Sequence, residues 1–116
     1  MAGTGTSVAL LQGTLDVIVL KTLSWGPMHG FGIARWIQQT TDDVLRVEEG
    51  SLYPSLYRME NHGWVRAQWR ITDNNRRAKY YSLTAAGRRQ LATQTGTWST
   101  FSLAMARIMS ATRQPV

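Results

Sequence analysis

The sequence predicts a mainly α fold with one small β-hairpin and a long C-terminal helix. Three observations carry that prediction. Apolar residues recur at helical spacing along most of the chain, and only between residues 65 and 83 does their period fall to two. The 116 residues contain no internal repeat and no linker, so they make one compact unit rather than two. A run of steps of three and four closes the chain, which is the signature of a helix with one apolar seam.

Residues 1–9 open the chain as a loose arm, with Gly, Thr and Ala in no period. A first helix is expected from Leu11, with Leu11, Leu15, Ile18, Val19, Thr22 and Leu23 on its inner side. Trp25-Gly26-Pro27 stops it, because the residue before a proline is pushed out of helical geometry. A second helix starts near His29, carries Ile33, Trp36 and Ile37, and runs out in the polar cluster of residues 40–43. Residues 44–47 read as a short strand.

A third helix is expected from about Ser51, with Pro54 in its first turn, where a missing N–H does little harm. Leu52, Leu56 and Met59 form its core stripe. Gly63 is placed to end it in left-handed backbone. Val65, Ala67, Trp69 and Ile71 then alternate with Arg66, Gln68 and Arg70, residues 73–77 turn, and residues 78–83 return as a second strand. Thr84 caps the final helix, whose Leu91, Gln94, Trp98, Phe101, Met105 and Ile108 form a heptad seam, all apolar except Gln94. Gly87, Gly96 and the Thr-rich stretch Thr93 to Thr100 are poor helix formers, so a bend or break is expected near Gly96.

Charge and composition narrow the function. Thirteen Lys and Arg stand against seven Asp and Glu, for a net +6, and eleven of the cations are Arg. Arginine suits bidentate and phosphate contacts, and a small basic domain suits a polyanionic partner, most often nucleic acid. The absence of cysteine excludes disulfides, thiolate metal sites and Cys nucleophiles, and fits a cytoplasmic, nucleoid-associated setting. No run of 18 apolar residues spans a membrane, and the first residues lack the cationic start of a secretory signal. Catalysis has no support: His29 and His62 lack metal-ligand spacing, and His29 reads as a helix-start residue with local hydrogen bonds. Glu48 and Glu49, on a strand, would point to opposite faces, and Gly30-x-Gly32 lacks the strand and third glycine of a dinucleotide site. No cofactor and no metal are expected.

Three helices followed by a hairpin describe a winged helix-turn-helix, in which the third helix enters the major groove and the hairpin, or wing, meets the backbone or the minor groove. With Leu52, Leu56 and Met59 turned inward, Ser51, Tyr53, Pro54, Ser55, Tyr57 and Arg58 remain to face DNA, and the helix N-terminus adds free N–H groups for a phosphate. Either tyrosine could instead be half-buried packing. Arg70, Arg76, Arg77 and Lys79 surround the wing turn and would neutralise phosphates; a solvated basic turn is the plainer alternative. A winged helix that binds proteins and no DNA is the rival from another class.

These residues resemble a known family. Gly50-Ser51-Leu52-Tyr53-Pro54-Ser55-Leu56, His29-Gly30-Phe31-Gly32-Ile33 and Arg76-Arg77-Ala78-Lys79-Tyr80-Tyr81-Ser82-Leu83-Thr84 are similar, in order and spacing, to the PadR family of bacterial transcriptional regulators, over about residues 10–110. The length resembles the family's short form, with one C-terminal helix. The resemblance implies a winged helix-turn-helix over residues 10–83, a dimerisation helix over 84–111 and a tail over 112–116. It also implies a homodimer that represses by binding a palindromic operator, released in some members by a small molecule. Ala85 and Ala86 depart from the family, which often has acidic residues there. Independently of the resemblance, a lone helix with Trp98, Phe101, Met105 and Ile108 has too little domain behind it to bury them, and a second copy is the simplest remedy. Leu15 is expected to join Leu91 and these residues in the dimer seam or an effector pocket. Trp98 and Phe101 against their symmetry mates would form a slot for planar cations or phenolics, although aromatic stripes at this spacing are more often dry packing.

Overall fold

The computed structural model describes residues 6–7 and 12–115. The elements run β1 (Thr6–Ser7), α1 (Gln12–Leu23), β2 (Met28–His29), α2 (Gly30–Thr40), β3 (Leu45–Arg46), α3 (Glu49–Asn61), β4 (Val65–Ile71), β5 (Arg77–Leu83) and α4 (Ala85–Met109). The apolar stripes converge on one core: Leu15, Val19, Leu20 and Leu23 from α1, Ile33 and Ile37 from α2, Leu52, Leu56 and Met59 from α3, and Val65, Tyr81 and Leu83 from the sheet. Burial pushes the Tyr81 phenol above the ordinary value of 10.0, with further contributions from the nearby Glu60 carboxylate and Tyr53.

The sheet is larger than a hairpin. β4 and β5 pair antiparallel from Val65–Leu83 out to Ile71–Arg77, and β2 adds a third strand on the far side of β5, with Met28 opposite Tyr81 and His29 opposite Tyr80. Gly26, at φ +138°, turns the chain out of α1 and into that strand. His29 then serves α2 as its N-cap, its Nδ1 accepting from the Gly32 N–H at 2.9 Å. Thr6 and Ser7 pair in parallel with Leu45 and Arg46, which corrects the loose-arm reading for those two residues. Residues 1–5 and 8–9 of the expected arm, and Leu11 of the first helix, lie outside the described residues.

Three expectations about helices need correction. α3 begins at Glu49, so Glu48 and Glu49 sit at a helix start rather than on a strand, and Pro54 lies in the second turn. The Gly50 carbonyl therefore has no N–H four residues on to accept. Leu15, expected in the seam, is 2% exposed inside the core of its own chain. α4 continues unbroken through Gly96. One glycine costs a helix about 1 kcal/mol, which a cooperative helix of this length absorbs, and the Thr97 hydroxyl donates back to the Thr93 carbonyl at 3.2 Å, inside the helix.

α4 is anchored at its first turn. The Thr84 Oγ1 accepts from the Gly87 N–H at 3.0 Å and donates to the Gly63 carbonyl at 2.6 Å, while the Thr84 N–H donates to the Trp64 carbonyl at 3.0 Å. Gly87 is buried there, and a Cβ on it would overlap the Trp64 carbonyl oxygen. From Thr95 onward every residue of the helix is exposed. The radius of gyration, 16.3 Å, exceeds the roughly 13 Å of a compact chain this long because of that exposed length of helix. Among the described residues no helix is long and apolar enough to cross a membrane.

Candidate nucleic-acid interface

The outward face of α3 is narrower than the sequence suggests. Tyr57 is 66% exposed and Tyr53 43%. Pro54 is exposed beside them and Ser51 is half-buried in the first turn. Tyr53 has a second contact: its hydroxyl lies over the Cα of Gly30, so closely that any Cβ at residue 30 would collide with it. Tyr53 thus braces α3 against the start of α2 while still reaching solvent.

Ser55 does not face outward, and Arg58 does so only in part. Ser55 is fully buried, and its Oγ donates to Asp16 Oδ1 on α1 at 2.6 Å. Arg58 Nη2 donates to the same oxygen at 2.8 Å. Polar side chains were expected on the solvent side, but here a carboxylate on the neighbouring helix draws both inward. The α3 N-terminus is also a poor phosphate seat. The Ser51 and Leu52 N–H groups donate to the Glu48 carbonyl at 3.0 and 2.9 Å, and Glu48 and Glu49 add two carboxylates at that end. Those charges suit the helix dipole but repel an anion.

The wing holds the cations. Its tip is a turn in which the Thr72 N–H donates to the Arg76 carbonyl at 2.7 Å and Asn75 takes left-handed backbone at φ +61°. Asparagine tolerates that conformation through its short polar side chain. Arg76 projects from the turn. The Arg77 guanidinium lies 4.8 Å from the Trp69 ring centre, and Arg70 lies 5.3 Å from that of Tyr80. Both aromatic faces hold their cations by charge–quadrupole attraction without neutralising them. Lys79 is less free: its Nζ is 4.0 Å from Glu60 on α3 and 5.8 Å above Tyr81.

Wing and helices enclose a cleft of about 880 Å³, lined by His29, Phe31, Arg35, Tyr53, Trp69, Arg76, Arg77, Lys79 and Tyr80 among others. Arg35 was not singled out from the sequence, and Phe31 and Trp69 were read only as motif and strand residues, not as part of the interface. Arg35 lies beside the apolar stripe of α2, the one signal that would have placed it on an outer face. Trp69 and Ile71 keep the alternation of buried strand residues, yet they are 57% and 61% exposed because the hairpin outgrows the core beneath it.

The far end of the molecule carries a different surface. Trp98, Phe101, Met105 and Ile108 are all exposed, with Trp98 and Phe101 ring centres 5.6 Å apart within one chain. Leu91, the first seam residue, packs against the core instead. Trp98 also walls an apolar cleft of about 600 Å³ that separates α4 from α1 and α2, with Ile18, Trp36, Ile37 and Leu45 opposite. Among the described residues no His, Cys, Asp and Glu cluster is placed to hold a metal ion.

A three-helix core with a basic wing beside the third helix defines a winged helix, and comparison with known proteins places it more closely. Residues 19–93 match the family described as the transcriptional regulator PadR-like family. The chain belongs to this family of DNA-binding transcription regulators, which are not enzymes. A transcriptional regulator from Clostridium thermocellum is similar in structure at a TM-score of 0.76 and 23% identity, over 84% of this chain and 95% of that one. A PadR-like transcriptional regulator from Bacillus cereus gives 0.74 at 22% identity, over 88% and 97%. An uncharacterized protein of Lysinibacillus sphaericus is 24% identical over 90 residues, covering 78% of this chain and 83% of its own length.

Proposed function

We propose that the chain is a homodimeric repressor that binds a palindromic operator in double-stranded DNA, with α3 in the major groove and the wing along the adjacent backbone. The observation that carries the reading is the cleft in which the exposed Tyr53 faces Arg35, Arg76 and Arg77. A base-reading helix and phosphate-neutralising cations then lie one beside the other, as the two kinds of contact require. Tyr53 and Tyr57 read base edges with Ser51 and Pro54 beside them; Arg70, Arg76, Arg77 and, more weakly, Lys79 bind phosphates. Ser55 and Arg58 support this surface from behind.

Dimerisation follows from the projecting half of α4. Phe101, Met105 and Ile108 are large apolar side chains exposed on the projecting part of α4, with Trp98 exposed at the edge of its cleft, and a two-fold partner buries them at once. Dimer symmetry gives the operator its palindrome. A small aromatic effector fits the apolar cleft at Trp98, and its binding there releases the operator. Fluorescence anisotropy with the chain's own upstream fragment, in the presence and absence of phenolic acids and planar cations, tests all three points. Two chains per site and release on effector addition support the reading. One chain per site overturns the dimer.

A further inference from the structure

We infer that Asp16 is a positioning residue for sequence recognition: from α1 it sets the rotation of α3 in the groove through Ser55 and Arg58. The inference rests on the DNA-binding reading above and names a residue for its specificity.

Both contacts end on one atom. Ser55 Oγ and Arg58 Nη2 donate to Asp16 Oδ1 at 2.6 and 2.8 Å. Ser55 and Arg58 are three residues apart, on the same side of α3. Two directional bonds one turn apart fix both the rotation of the helix about its axis and its slide along it. The apolar stripe of Leu52, Leu56 and Met59 holds α3 in place, but burial is non-directional and tolerates a small rotation. Hydrogen bonds do not. A rotation of about 10° moves a side-chain tip about 6 Å from the axis by about 1 Å, which is enough to break a base contact. Tyr53 and Tyr57 sit on the turns that Ser55 and Arg58 fasten, so their aim depends on Asp16.

Stability alone does not account for this arrangement. Arg58 Nε is buried with no hydrogen-bond partner among the described residues. Ser55 is a fully buried hydroxyl. Apolar residues of similar size would avoid both penalties, and the best-attested benefit of partly buried ionic groups is registry.

The test begins by selecting duplexes from a randomised pool with the wild-type protein. Affinities for an enriched and a scrambled duplex are then measured by anisotropy across a salt series, below the melting temperature, for wild type, Asp16→Ala and Ser55→Ala. Asp16→Ala should lower the enriched-to-scrambled affinity ratio about tenfold or more, with the scrambled-duplex affinity not reduced, because the wing is untouched and Arg58 loses its counter-charge. Ser55→Ala, which loses one of the two bonds, should fall between, and Asp16→Asn, which keeps an acceptor oxygen, should recover most of the ratio. A folded Asp16→Ala protein with the wild-type ratio, or with equal losses on both duplexes, overturns the inference. If Asp16→Ala does not fold, Ser55→Ala decides, and an unchanged ratio there overturns it. A wild-type protein that enriches no duplex overturns the DNA-binding reading itself, a different outcome from the others.

Discussion

Two alanine substitutions on one helix should have opposite effects. Gly87 and Gly96 both lie inside α4, so replacing either by alanine removes a helix penalty of about 1 kcal/mol. Gly96 has nothing within reach of an added Cβ. Gly96→Ala should therefore stabilise the protein by about 1 kcal/mol, or about 3–5 °C in Tm for a chain of this length. At Gly87 the added Cβ overlaps the Trp64 carbonyl. That carbonyl cannot retreat, because it accepts the Thr84 N–H at 3.0 Å as part of the α4 cap. Overpacking against rigid backbone costs about 1–3 kcal/mol and outweighs the propensity gain. Gly87→Ala should lower Tm by several degrees. Circular dichroism melts at one fixed protein concentration measure both, since association makes Tm concentration-dependent. A neutral or stabilised Gly87→Ala would refute the seating of α4 on Trp64, and a destabilised Gly96→Ala would mean that the helix breaks there after all.

Further expectations concern the wing, the seam and the core. Arg76→Ala with Arg77→Ala should weaken binding to every duplex alike and flatten the log–log salt dependence by about 0.9 for each phosphate left without its cation; an unchanged slope would remove the wing from the interface. Phe101→Asp should place a charge in the seam and yield monomers in sedimentation velocity while the winged domain keeps its far-ultraviolet spectrum. Tyr81 has a raised pKa in the folded chain, so its contribution to stability is complete below about pH 10 and is lost as pH rises through the folded value. Urea midpoints should fall at alkaline pH, and fall less in Tyr81→Phe.

Most of the fold was legible because periodicity reports burial directly. The stripes of α1, α2 and α3, the change of period at Val65, the Gly63 stop and the Thr84 cap are each local signals, and each has its counterpart in the structure. The features that escaped are non-local. Strand β2 is two residues long and exists only because β5, some fifty residues later, offers it an edge. Ser55 and Arg58 read as surface because they are polar, and their partner Asp16 lies 39 and 42 residues away. Asp16 itself, a single acidic residue within α1, carries no local signal of that pairing. Gly87 looked like a weakness of α4, whereas the approach of Trp64 requires it. Leu15 carried no mark to separate core from seam, since both are apolar. The candidate cations were legible because a tight basic turn is a local feature. What they face, the cleft with Arg35, Phe31 and Trp69, was not.

The central claim is sequence-specific recognition of DNA by the α3 face and the wing. Its most direct measurement is the affinity of the purified protein for its own upstream fragment and for a scrambled duplex, by anisotropy at about 150 mM salt. The account predicts a preference of about a hundredfold or more with two chains per site. Equal, weak binding to both duplexes, or binding indifferent to salt between about 50 and about 200 mM, would contradict it.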